Sequence, residues 1–101
     1  MKEYRLSEMI TASGSINSDG LISSLSADDS TLLVTISWEE WQIATPEQQN
    51  RALEKLGMAW VDISKKIGLK EPGLGRLRVV ALDRFQKEHA RWSARDGVQK
   101  R

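Results

Sequence analysis

His89 is the chain's one histidine, and so its one imidazole, the side chain most often used as a general base. A nucleophilic serine would need a base beside it in space, and no other imidazole exists to serve. In helical register His89 falls beside Phe85 and Trp92, the setting of a histidine at a core edge rather than of a base. Asp28-Asp29 and Glu39-Glu40 are adjacent carboxylate pairs. Neighbours in a strand point to opposite faces, which argues against a working dyad. Cysteine is absent, which excludes disulfides, thiolate catalysis and cysteine zinc sites. No cluster of ligating side chains surrounds His89, so neither a metal nor a cofactor is expected. Gly73-Leu74-Gly75 lacks the third glycine of a dinucleotide fingerprint and the Gly-Lys-Ser/Thr of a P-loop, and reads as a connector. The chain is not expected to be an enzyme.

Two other constellations suggest binding. Trp38 and Trp41, three residues apart, either lid the open end of a core or form an aromatic interface anchor, since tryptophan is enriched at binding hot spots. The second is charge. Residues 1–50 carry Lys2 and Arg5 against eight acids, a net −6, whereas residues 51–101 carry thirteen basic residues against six acids, a net +7. This suggests an acidic sheet side and a basic helical side, unless the two sets are solvated surface that cancels. Arg76, Arg78, Arg84, Lys87 and Arg91 would centre a phosphate-binding surface. A sequence pI near 8.1 is low for such a domain, and no nucleic-acid motif is present.

These residues need a scaffold, and Thr45 to Gly68 organises it. Thr45 caps a helix, Pro46 takes its first position, and Gln48 bonds back in a capping box. Leu53, Leu56, Trp60, Ile63 and Ile67 repeat every three or four residues, one apolar stripe with Trp60 at its centre. Gly68 ends the helix, with Lys65 and Lys66 beside the negative dipole end. Gly57 interrupts it, and close approach of another backbone is the expected reason.

Before that helix, residues 7–16 are weakly strand-like and Asn17-Ser18-Asp19-Gly20 is a turn. Leu21–Ser26 reads as a returning strand, residues 27–30 as a second turn, and Thr31–Ser37 as the clearest strand. Ser37 with Glu40 matches a capping box that starts a short helical turn. After the helix, Arg76–Leu82 reads as a fourth strand, although one helix over 74–95 also keeps helical spacing. Asp83-Arg84-Phe85-Gln86 resembles a capping box that opens a helix to Arg95, closed by Gly97. The remaining possibility is a hairpin in which Lys87–Ser93 returns as a strand.

The expected fold is therefore α+β, a small antiparallel sheet of three to four strands on one long α-helix, with a C-terminal helix or hairpin. Residues 1–101 form one globular domain, with 1–6 and 97–101 as frayed ends. At 40% hydrophobic and 29% charged residues, the composition is that of a soluble protein. No apolar run approaches the ~20 residues of a membrane helix. With no signal-peptide pattern and no cysteine, a cytoplasmic location is expected. A strand before a helix invites comparison with ribbon-helix-helix repressors, but that motif needs two short helices where this chain has one unbroken one. The general profile resembles small orphan proteins carried by mobile elements, with no motif behind the likeness. The expected function is a non-catalytic protein-interaction module of the adaptor, regulator or inhibitor kind, with a second copy or another protein as partner. The alternative is a small nucleic-acid-binding protein that uses the basic C-terminal half.

Overall fold

Five strands and three α-helical segments, the first of them residues 7–11, follow one another in the computed structural model, which describes residues 7–11, 20–28 and 30–100. The strands are β1 (Ile22–Asp28), β2 (Thr31–Ile36), β3 (Arg78–Leu82), β4 (Glu88–Ser93) and β5 (Gly97–Lys100). A short helix (Trp38–Ile43) and a long helix (Pro46–Lys66) lie between β2 and β3. The strands lie in sequence order in one sheet.

The long helix forms as its signals require. Gln48 N–H donates to Thr45 Oγ1 at 3.1 Å, and Gln48 Oε1 accepts from Thr45 N–H at 2.8 Å, closing the capping box. At the other end Gly68 adopts φ +100°, a conformation open to glycine at little cost. Leu69 N–H reaches the Ser64 carbonyl and Gly68 N–H the Lys65 carbonyl, each at 3.0 Å, which is a Schellman stop. Leu53, Leu56, Trp60 and Ile63 are buried as the stripe predicts. Trp60 is its fully buried centre, and its indole N–H donates to the Ser30 carbonyl at 3.0 Å. The same carbonyl accepts from Arg78 N–H, so one oxygen ties the long helix, the start of β2 and the start of β3 together.

Gly57 permits a close approach, but of a side chain rather than a backbone. The Trp92 indole from β4 lies over it, and a Cβ at position 57 would clash with its ring carbons. Leu32, Val34 and Ile36 of β2, Val79 and Ala81 of β3, and Ala90 and Trp92 of β4 alternate inward and belong to the same buried cluster as the helix stripe.

The sheet departs from the purely antiparallel arrangement expected of it. It is mixed: β2 and β3 run parallel, Thr31 against Arg78 through Thr35 against Leu82, and the other three pairs are antiparallel. The reason is the return path. The two helices carry the chain back over one face and re-enter the sheet beside β2 at the end where β2 began, and such a crossover makes neighbours parallel.

Strand number also exceeds the expected three to four. Of the readings for 76–96, β3 and the hairpin into β4 are realised, and the helices over 83–95 and 74–95 are not. Gly97 starts a strand at φ +75° instead of closing a helix, and residues 97–100, expected to fray, pair with β4 as β5. β3, β4 and β5 all come from the basic half, so the two charge halves do not divide as sheet and helix.

Residues 7–11, read as part of a strand, are helical, with Met9 fully buried in the core. Contact of one side chain with the core outweighs a weak strand preference. The expected lead-in at 1–6, the rest of that strand at 12–16 and the turn residues 17–19 lie outside the described residues. Among the described residues, no helix is long and apolar enough to cross a membrane.

Candidate functional site

Because β2 and β3 are parallel, their C-terminal ends open at the same edge of the sheet, where open sheets with parallel strands commonly place a crevice. The short helix leaves β2 there, and the β3–β4 loop, residues 83–87, leaves β3. Between them lies a cavity of about 720 Å³, with Ser23, Thr35 and Ser37 among its lining residues.

Asp83 shapes the loop. Its Oδ1 accepts from Phe85 N–H at 2.8 Å and from Lys87 N–H at 3.0 Å, while its Oδ2 meets His89 Nε2 at 2.9 Å. Gln86 N–H donates to the Asp83 carbonyl at 2.9 Å, and Gln86 takes φ +64°, turning the chain back. The capping motif read at 83–86 is thus an Asx-type turn. An aspartate accepts the same backbone N–H groups whether a helix or a turn follows, so the two share a sequence signature. The hydrogen bond from His89, the Lys87 and Phe85 N–H groups and the charge of His89 together hold the Asp83 carboxyl below its ordinary value, against the opposing effect of burial.

His89 is gripped from two sides. Asp83 takes Nε2, and the Trp38 indole lies 4.6 Å away between ring centroids, tilted by 30°. These contacts clamp the loop of one strand to the helix that follows the other. Among the described residues, the side-chain hydrogen bond of His89 goes to Asp83, which is an orienting contact rather than a nucleophile–base pair.

Ser37 precedes the short helix as expected, but its side chain makes no cap bond. Its N–H, which Glu40 would have accepted in a capping box, donates instead to the Leu21 carbonyl at 2.8 Å. The two tryptophans separate. Trp41 is 6% exposed and joins the core, whereas Trp38 is 43% exposed at the cavity. Gln49 Nε2–H donates to the Trp41 carbonyl at 2.7 Å, tying the short helix to the long one.

The basic set divides too. Arg76 and Arg78 are exposed at the entry of β3, and Arg84 and Lys87 at its exit, roughly 17 Å along a five-residue strand. Arg91, half buried on β4, makes a two-pronged contact with Glu88 at 2.9 and 3.0 Å. Only Arg84 and Lys87 line the cavity.

Phe85 was not singled out by the sequence reading. It is 77% exposed, and the Arg84 guanidinium sits 4.9 Å from its ring centroid. A phenylalanine two residues after an aspartate turn signal was the available clue. Among the described residues, no three His, Cys, Asp or Glu side chains gather to hold a metal. Compared with known protein families, with curated proteins and with solved structures, the chain matches none.

Proposed function

We propose that this chain is a non-catalytic protein-interaction module whose contact surface is the corner formed by the short helix and the β3–β4 loop. One observation carries the reading: two large aromatic side chains, Trp38 and Phe85, stand exposed around one cavity, each delivered by a different element. Covering an exposed aromatic side chain contributes about 1.5–3 kcal/mol, and such residues are the usual anchors of interfaces. The Asp83–His89–Trp38 contacts hold the corner in shape before a partner arrives, which limits the ordering cost of binding. The absence of cysteine suits work in a reducing compartment such as the cytoplasm.

Selection of peptides from a displayed library on the purified protein tests this reading. Wild type is expected to enrich a family of sequences that a Trp38→Ala, Phe85→Ala variant of unchanged circular dichroism fails to retain. Equal retention by both would remove the corner as the contact surface.

Nucleic-acid binding stands second. Arg84 and Lys87 beside Phe85 and Trp38 combine cations with stacking surfaces, the ingredients of a single-strand groove. Glu39 and Glu40 line the same cavity and would repel phosphate, and Arg76, Arg78 and Arg91 stand apart from it. Anisotropy of labelled DNA and RNA at about 50 and 200 mM salt decides the matter. A complex that weakens steeply between the two would move this reading to first place.

A further inference from the structure

The charges around the cavity narrow the choice of partner. Glu39 and Glu40 form one wall, on the short helix, and Arg84 and Lys87 form the other, on the β3–β4 loop. The ion pairs among the described residues are His89–Asp83 and Arg91–Glu88, so among them no carboxylate pairs with Arg84 or Lys87, and the Arg84 guanidinium rests over its own Phe85 ring. A uniformly acidic or basic partner would satisfy one wall and be repelled by the other. A partner that carries both signs, arranged in the same way around an aromatic centre, satisfies both. This chain is such a partner for itself. A two-fold axis through the corner sets each acidic wall against the basic wall of the opposite copy, and both contacts form at once.

Resting on the interaction reading above, we infer that the partner is a second copy of this chain, docked corner to corner. The Phe85 ring of each copy enters the cavity of the other and lies against its Trp38. Phe85 at 77% and Trp38 at 43% exposure make each copy at once donor and recipient. The cavity, about 720 Å³, is within the size range of sites that engulf a ligand of many atoms, and it admits a phenyl ring. A dozen residues line it, fewer than the roughly 20–30 a side of a standard interface. The dimer is therefore weak, and raised salt loosens it because exposed charges are screened.

Sedimentation equilibrium of the full chain from about 10 μM to 1 mM tests the inference. The wild-type mass is expected to rise with concentration towards that of a dimer. A variant with Glu39→Lys and Glu40→Lys has two basic walls, and one with Arg84→Glu and Lys87→Glu has two acidic walls. Each alone is expected to dimerise about tenfold or more weakly than wild type. Mixed together they pair as one of each, and the dimer returns. That recovery also proves both variants folded. A wild type that stays monomeric to 1 mM, charge variants that still dimerise alone, or no recovery on mixing would each overturn the inference. If peptides are retained through Trp38 and Phe85 by a chain that stays monomeric, the second copy is excluded while the interaction module stands. If none are retained and no dimer forms, both fail.

Discussion

Three residues bear on how the helix, the sheet and the corner hold together, and each can be tested singly. Gly57 lies beneath the Trp92 indole, where any Cβ would clash. In an exposed helix Gly→Ala gains about 1 kcal/mol from propensity. Here the ring must move, and overpacking of this kind costs about 1–3 kcal/mol. Gly57→Ala is therefore expected to destabilise on balance in chemical denaturation, with part of the loss recovered by adding Trp92→Leu. Strictly additive effects would show that ring and glycine do not meet. Trp60→Phe keeps a buried ring but removes the donor to the Ser30 carbonyl. Loss of that bond and of ring volume predicts a drop of about 1–3 kcal/mol in the same measurement. Asp83 is a matter of pH. Its folded pKa is depressed below 3.8, first by the His89 hydrogen bond. Its stabilisation is then complete above that ordinary value and is lost as pH falls through the lower, folded one. The stability advantage of wild type over Asp83→Asn should shrink as acid is added below about pH 3.8. An advantage that grows in acid would reverse the sign of this linkage.

At the scale of elements, the two ends of the long helix act independently. Thr45→Ala removes the cap and is expected to cost about 1 kcal/mol. Gly68→Ala forces a Cβ into a left-handed conformation and should cost about 1 kcal/mol or more. The helix has 21 residues and spans roughly 32 Å, so the double variant should lose the sum of the two, as thermal or urea melts will read. Both ends, the apolar stripe, β2 and β3 were legible in the sequence because their signals lie within a few residues of the structure they cause. The 83–96 segment was not. Asp83 offers its carboxylate to following N–H groups in either a helix or a turn. The deciding residue is Gln86 at φ +64°, a conformation in which glutamine carries no sequence signal. Trp38 and Trp41 likewise share a spacing but not a fate, since the Leu21 carbonyl takes the Ser37 N–H and the helix settles with Trp41 inward.

For the whole molecule, the parallel junction of β2 and β3 is the pivotal arrangement, because it brings the short helix and the β3–β4 loop to one edge. On the far side of β4, β5 contributes Val98, which is opposite Trp92 in the ladder and packs against the core. A chain ended before Gly97 should lose about 1–2 kcal/mol from that partly buried contact alone. It should also aggregate more readily, as β4 becomes an open edge. Light scattering with a denaturation curve checks both, and unchanged behaviour would mean that β5 adds nothing to the packing. The proposed salt-sensitive dimer also belongs to this scale, since its contacts between walls of opposite charge need a second copy.

What the residues by themselves determined is therefore local: a capped and stopped helix, a buried stripe centred on Trp60, and three strands, β1, β2 and β3. Capping, periodicity and left-handed stops act over a turn or two of chain, so they can be read without the fold. What only tertiary structure decided is which strands pair and in which direction, that Trp92 covers Gly57, and that Trp38, Phe85 and His89 share one corner although 47 positions separate the first from Phe85. Those outcomes depend on where the helix crossover returns the chain, a property of the whole core and not of any window within it.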